Sequence, residues 1–199
     1  MKTTDHRVAP ERGARREQIL DQALALISEQ GVHAVSTRKI AAAVGITQPS
    51  LYAFFPTRQA LVAEVSRRAF SALSARMLDE FSAPSPAGLL RRLARAYIDF
   101  GLAHPDAYRV AFMIEGVRRA AGSEHDAALT AGLTAFRILR SATAQSLRPE
   151  VAENEIEIMA QSTWASLHGL VSLIIARPSF HWAEREALIE THIRRLLPE

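Results

Sequence analysis

The chain has 199 residues, no cysteine, 48% hydrophobic and 23% charged residues, nine Gly and nine Pro, which excludes collagen-like, disordered and disulfide-stapled classes. Without cysteine there is no thiolate zinc site, iron–sulfur cluster or thiol nucleophile, and a reducing cytoplasm is compatible. The formal net charge is only +3, and Lys2 and Lys39 are the sole lysines among 24 basic residues; the Arg excess suits phosphate or carboxylate partners, although genome base composition produces the same bias.

Thirty-five alanines against three Tyr and two Trp favour helix nearly everywhere. Residues 1–18 are polar and charged, so no secretory signal is expected, and no apolar run approaches the roughly 18 residues of a membrane span. From Glu11 to Gln30, Ile19, Ala23, Leu26 and Ile27, with Leu20 and Leu24 alongside, form a helical stripe. Gly31 sits where a left-handed residue stops a helix. Ser36 is placed to cap a short second helix through the amides of Arg38 or Lys39, with Val35 and Ile40 at the spacing of a hydrophobic staple. Gly45 ends it after about two turns, too short to persist without packing.

Thr47 caps a third helix that tolerates Pro49 in its first turn, and Pro56 closes it. Thr57 caps a longer fourth helix carrying Leu61, Val65, Phe70, Leu73 and Met77. Ser82 to Gly88, with Pro84 and Pro86, is the expected linker. Further helices are predicted at about 87–103, 105–114, 124–147, 150–176 and 182–197. The expected architecture is all-α, four N-terminal helices followed by a larger helical body.

The segment Ser36 to Phe55 reads STRKIAAAVGITQPSLYAFF. Ile40, Ala41, Val44, Ile46 and Leu51 are placed to form a small shared core about Gly45-Ile46-Thr47. That layout fits either a helix-turn-helix, whose second helix enters the major groove, or a plain helical hairpin with a glycine turn. In the first case the N-terminus of the third helix offers amides to phosphate, and Gln48 and Ser50 project toward base edges, Gln being able to pair bidentately with adenine.

From Arg15 to about Met77 the chain resembles the DNA-binding domain of the tetracycline-repressor (TetR) family of bacterial regulators. The matching residues are Ile19, Ala23, Gly31, Ser36, Arg38, Ile40, Ala41, Gly45, Ile46, Leu51, Tyr52, Phe55-Pro56, Arg58 and Leu61. The resemblance implies a three-helix DNA-binding domain over 15–80, with its helix-turn-helix at 36–55 and a flexible basic arm at 1–14. Helix 4 would join it to an effector-binding and dimerisation domain at 81–199. It further implies that Ser36 and Thr37 hold backbone phosphates and that Arg38 reaches a phosphate or base edge. Gln48, Pro49 and Ser50 would form the reading face, and Tyr52 and Arg58 would donate to phosphates. Ala53 stands where family members often carry His or another polar residue, which removes one phosphate contact, and Arg58 where they carry Lys, which keeps the charge.

After residue 82 there is no helical Glu-x-x-His, no His pair at metal spacing, no glycine-rich phosphate loop and no Gly-x-Ser-x-Gly, so no enzyme, metal or cofactor is expected. Tyr97, Phe100, Tyr108, Phe112, Met113, Phe136, Met159 and Trp164 lie on predicted helices; taken alone, such residues are core. The TetR resemblance makes them, with His168, candidates for an effector pocket. Trp164 to Gly169, following His104-Pro105-Asp106, resembles the Trp…His-Gly (WHG) subclass. Trp164 and His168 lie one turn apart, so His168 is either a polar contact in an apolar pocket or a core histidine beside Gly169 at a close helix approach.

Leu167, Leu170, Val171 and Ile174 form one apolar face near the chain end, and Leu188, Ile189, Ile193 and Leu196 another. Such faces either close the monomer core or pair with a copy; the resemblance implies a two-fold four-helix dimer interface. Two reading helices would then lie roughly 34 Å or a multiple apart on a near-palindromic double-stranded operator. The expected protein is a cytoplasmic homodimeric repressor released by a small, mostly apolar effector that shifts the body against helix 4. The alternatives are an all-α binding or interaction protein that reads no specific DNA, or a helical enzyme using the pocket. Through Arg76, eleven basic residues oppose six acidic ones, placing +5 on the head and −2 beyond, which suits an uncharged or cationic effector.

Overall fold

The computed structural model describes residues 8–31, 36–82, 88–113 and 123–197, and among these every regular element is an α-helix. In chain order they are α1 (Val8–Gln30), α2 (Thr37–Val44), α3 (Gln48–Tyr52), α4 (Arg58–Phe81), α5 (Leu89–Ala103), α6 (Pro105–Phe112), α7 (Ser123–Ser146), α8 (Glu153–Ala176) and α9 (Arg185–Leu196). The all-α expectation holds, and the anticipated helices recur with ends shifted by a few residues. Val35 of the staple, the heart of the expected linker (83–87), the first seven residues of the basic arm and most of the break at Gly116 to Ser123 lie outside the described residues.

Local chemistry accounts for the short helices. Ser36 Oγ accepts from Lys39 N at 3.3 Å, while Gly45 adopts φ 73° and ψ 34° and lets Ile46 N reach Ala41 O at 2.9 Å. A glycine occupies that left-handed conformation without the Cβ penalty, and the extra bond satisfies a terminal carbonyl. Thr47 Oγ1 accepts from Ser50 N at 3.2 Å and Thr57 Oγ1 from Ala60 N at 2.9 Å, so α3 and α4 begin on the expected caps.

The chain divides into two compact units. The first comprises the described residues of 1–69 and of 106–129. Its core joins Ile19, Leu20, Ala23 and Ile27 of α1 to Ile40, Ala41 and Val44 of α2, Leu51, Phe55, and Leu61 and Val65 of α4. Ile46 packs against this cluster partly buried. Val110 of α6 is fully buried in the same cluster, so the unit takes in a segment that the expected 15–80 and 81–199 division puts in the body. The physical reason is burial: two short helices and a turn cannot cover the inner faces of α1 and α4 without a further apolar wall.

The second unit comprises residues 70–105 and the described residues of 130–199. Within it α5 packs against α8 and α9, and Leu93, Ala94, Tyr97 and Ile98 of α5 and Ala160, Leu167 and Val171 of α8 are buried. Arg95 of α5 pairs with Asp99 on its own helix and with Glu186 and Glu190 of α9, and Arg140 of α7 pairs with Glu153 and Glu157 of α8. Among the described residues α8 alone has the length and apolarity to cross a membrane, with a window of mean hydropathy 1.3. That differs from the expectation of no such segment, because the expectation considered uninterrupted runs and α8 scatters its polar residues. Its first turn carries Glu153 and Glu155, and one face is buried in the unit.

Candidate functional site

In the first unit the helix-turn-helix brings Thr37, Gln48 and Tyr52 together. Gln48 Nε2 donates to Thr37 Oγ1 at 3.0 Å and to Tyr52 Oη at 3.4 Å, and the two hydroxyls lie 3.3 Å apart. These bonds, that with Thr37 first and that with Gln48 second, stabilise the phenolate and lower the Tyr52 pKa from its ordinary value. Tyr52 is 42% exposed and Thr37 only 7%. Thr37, expected as a phosphate ligand, is buried with its hydroxyl bonded to the other two side chains.

Ser36, Arg38, Pro49 and Ser50 are exposed around this network, and Arg58 is half-buried at the first turn of α4. At the start of α3, Ser50 N is held by Thr47 Oγ1, Leu51 N by Thr47 O, and Pro49 has no N–H, which narrows the amides expected to face phosphate there to that of Gln48. The basic flank comes from α1, a contribution that periodicity alone does not reveal. Arg12 Nη2 donates to Ala53 O at 3.4 Å and its guanidinium lies 5.7 Å from the Phe54 ring centroid. The Arg16 guanidinium lies 5.0 Å from the Phe55 ring centroid and pairs with Glu64 at 2.9 Å. Desolvation raises the Glu64 pKa, but the bonds from Arg67 and Arg16 outweigh it and hold the carboxyl below its ordinary value.

The nine residues expected to line an effector pocket do not all meet. Tyr97, Phe136, Trp164 and His168 form one cluster in the second unit. Trp164 Nε1 donates to Tyr97 Oη at 3.3 Å, Tyr97 Oη lies 3.5 Å from His168 Nδ1, and the Trp164 ring centroid is 5.8 Å from that of Phe136. Ser172, one turn beyond His168, closes the network at 3.1 Å from Nε2, a partner signalled in sequence only by its i+4 spacing. Burial lowers the His168 pKa, favouring the neutral imidazole. Phe100 instead stacks near His104 at 5.1 Å, and Met159 is exposed. Tyr108 and Phe112 pair at 4.6 Å within the first unit, to which Met113 also belongs.

The eight residues expected to meet a second copy are mostly core. Leu167, Leu170, Val171 and Ile174 of α8 and Ile189 and Ile193 of α9 are buried within the chain, while Leu188 and Leu196 are half-buried. The two faces close the unit because α5 takes the apolar stripes of both helices. The outward face of α8 carries Ile158, Ser162, Ala165, Leu173 and Ala176, spaced by three or four residues or by the eight of two turns and all exposed. A Cβ built on Gly169, on that face, meets nothing within 4 Å among the described residues, so the close approach considered for it does not occur among them.

Residues 19–65 match the family described as bacterial regulatory proteins, tetR family, and residues 90–196 match the tetracyclin repressor-like C-terminal domain. The chain is 28% identical over 106 residues to the uncharacterized HTH-type transcriptional regulator YobS of Bacillus subtilis, covering 53% of this chain and 56% of that one. It is 43% identical over 47 residues to the class D tetracycline repressor protein of Escherichia coli, covering 24% and 22%. The chain thus spans about half the length, or less, of these curated relatives. The crystal structure of the regulatory protein SCO4313 superposes with a TM-score of 0.81 at 23% identity, covering 96% of this chain and 98% of that one. That of the TetR-family regulator PfmR from Thermus thermophilus gives 0.70 at 20% identity over 91% and 99%.

Proposed function

The chain belongs to the tetR family of bacterial regulatory proteins, and on that premise we propose that it is a ligand-controlled, DNA-binding transcriptional repressor. The observation that carries the reading is the Thr37–Gln48–Tyr52 network, which presents an amide and a phenol at the exposed edge of α3. Preorganised polar groups of this kind, the Gln48 carbonyl as acceptor and the Tyr52 phenol as donor, cost little ordering entropy when they meet a base edge or phosphate. Gln48 and Ser50 read bases; Tyr52, Ser36, Arg38 and Arg58 hold phosphates, with Pro49 shaping the turn; Thr37 positions Gln48.

The functional unit is a homodimer on a near-palindromic operator, and the outward face of α8 is where a second copy seats. Six of the eight residues first expected there are consumed by the core, whereas Ile158 and Leu173 leave apolar surface to cover. The Tyr97, Phe136, Trp164 and His168 cluster, which includes the Trp…His-Gly feature, takes a small, mostly apolar effector with a hydrogen-bonding group for His168. An inducer lowers operator affinity only through its differential affinity for the two conformations, so it binds the non-DNA conformation better.

The test is a footprint of the full chain on the DNA upstream of its own gene, with a random duplex as competitor and salt as the variable. A protected inverted repeat and a steep fall of affinity with salt are expected, since several phosphates are neutralised together. A flat salt response, or equal affinity for random duplex, overturns the proposal and leaves an all-α ligand-binding protein.

A further inference from the structure

Ser74 Oγ is buried in the second unit without a hydrogen-bond partner among the described residues, on a residue only 6% exposed. A helical hydroxyl can donate to the carbonyl one turn back, as Thr143 Oγ1 does to Leu139 O at 2.9 Å, but that of Ser74 does not. A buried hydroxyl left in this state costs stability that an alanine would not, and a bound partner removes the cost.

The place of Ser74 relative to the aromatic cluster follows from α7. A Cβ built on Gly132 of α7 comes 3.3 Å from Phe70 Cζ, so α4 and α7 approach closely at these two residues. Residues of α4 before 70 and of α7 before 130 belong to the first unit, so from that contact both helices run on in the same sense through the second. Ser74 is one turn beyond Phe70, and Phe136 is one turn beyond Gly132, each about 6 Å further along its axis. The unpartnered hydroxyl is therefore level with Phe136, whose ring centroid lies 5.8 Å from that of Trp164.

We propose that Ser74 is a second polar contact for the effector, and that the effector is a neutral, mostly apolar molecule carrying two separated hydrogen-bonding groups. The inference rests on the reading of Tyr97, Phe136, Trp164 and His168 as the effector site. One group of the ligand meets His168; the other meets Ser74, whose hydroxyl both donates and accepts. At a hydroxyl and at the neutral imidazole that burial favours, an ionised ligand gains no opposite charge, so ionised ligands are disfavoured at these contacts. A hydroxyl or carbonyl placed at Ser74 satisfies a group that an apolar analogue leaves unpaired, which makes this position a source of specificity.

The test uses the full chain without DNA and, as probes, linear alkane-α,ω-diols of six to ten carbons beside the 1-alkanols of the same lengths. Binding is read by tryptophan fluorescence in a Trp182→Phe background, which leaves Trp164 as the sole tryptophan. A second hydroxyl ordinarily weakens entry into an apolar site. The expected result is the opposite: for at least one length the diol binds about threefold or more tightly than its 1-alkanol, the scale of one hydrogen bond. Ser74→Ala should abolish that preference, leave 1-alkanol binding unchanged, and keep or raise the Tm of the unliganded chain. Ser66→Ala is the control, since it removes another buried, unpartnered hydroxyl of α4 from the first unit, and it should keep the preference. A lowered Tm in unliganded Ser74→Ala assigns the hydroxyl a structural bond and overturns the proposal, as does a diol preference that survives in Ser74→Ala. If 1-alkanols bind and His168→Ala weakens them, yet no diol binds more tightly, the effector site stands and the role of Ser74 falls. If no probe binds saturably, the effector site itself falls and this proposal with it.

Discussion

Gln48 and Thr37 are joined by a 3.0 Å hydrogen bond in which the side-chain amide of α3 donates to the hydroxyl of the first residue of α2. A glutamine on a reading helix is thereby tied to the buried junction behind it, and its carbonyl oxygen is the half left to accept from a base. Gln48→Ala is expected to cost about 1–3 kcal/mol of discrimination at a single operator position while leaving random-duplex affinity nearly unchanged. Thr37→Val should share that selective loss, because it removes the anchor and not the reader. Competition binding against single-position operator variants measures both; unchanged discrimination in Thr37→Val would show that the bond positions nothing.

Tyr52→Phe is expected to weaken operator and random duplex together, through the lost phosphate donor. It should also produce a smaller, Gln48-like loss at the same operator position, because the phenol oxygen accepts from Gln48 Nε2 at 3.4 Å. The same titration reads this, and a purely uniform loss would separate the two residues.

Gly45 has φ 73°, and a Cβ built there meets nothing within 4 Å. Gly45→Ala therefore carries a backbone cost without a clash, about 1–2 kcal/mol of stability. Chemical denaturation checks it, with a lowered midpoint and an unchanged m-value expected.

Leu167 and Leu173 lie on opposite faces of α8, the first fully buried and the second 55% exposed. Leu167→Ala is expected to destabilise the chain by about 2–5 kcal/mol through transfer and cavity terms. Leu173→Glu should leave the melting of the chain nearly unaffected at low concentration while shifting sedimentation from dimer to monomer. A dimer that persists in Leu173→Glu would place the interface elsewhere.

The pH dependence has two expected limbs. His168 has a folded pKa lowered by burial, so the unfolded chain takes up its proton first, and stability falls as pH drops below the ordinary histidine value of 6.5. Glu64, held below 4.5 by Arg67 and Arg16 despite desolvation, adds stability that is complete above that pH and is lost as pH falls through its lower folded value. His192, whose pKa burial also lowers, shares the upper limb, so denaturation midpoints across pH 4–8 should lose part of it in His168→Gln and the rest in His168→Gln/His192→Gln, and midpoints below pH 4.5 should lose the lower limb in Glu64→Gln.

Much of the head was legible because its signals are local. Ser36, Gly45, Thr47 and Thr57 act within four residues of themselves, and the stripe of Ile19, Ala23 and Ile27 needs only helical periodicity. What sequence periodicity could not tell is which neighbour an apolar face meets. Leu167, Val171 and Ile193 read equally well as core or as dimer contact, and the choice depends on where α5 lies. Tyr108 is core by residue type and a pocket candidate only through the family resemblance, and it falls in the unit that holds α1 and α2.

By itself, the order of residues determined the helices and their caps, since these depend on backbone conformation and short-range bonds, and it determined the family through an ordered match that runs from Arg15 to about Met77. Tertiary structure alone decided the roles of Thr37, Leu167 and Arg95. Each takes its role from a partner eleven or more residues away: Thr37 from Gln48, and Arg95 from Glu186. Burial and charge pairing are properties of proximity in space, and the net charge of +3 carried no trace of them.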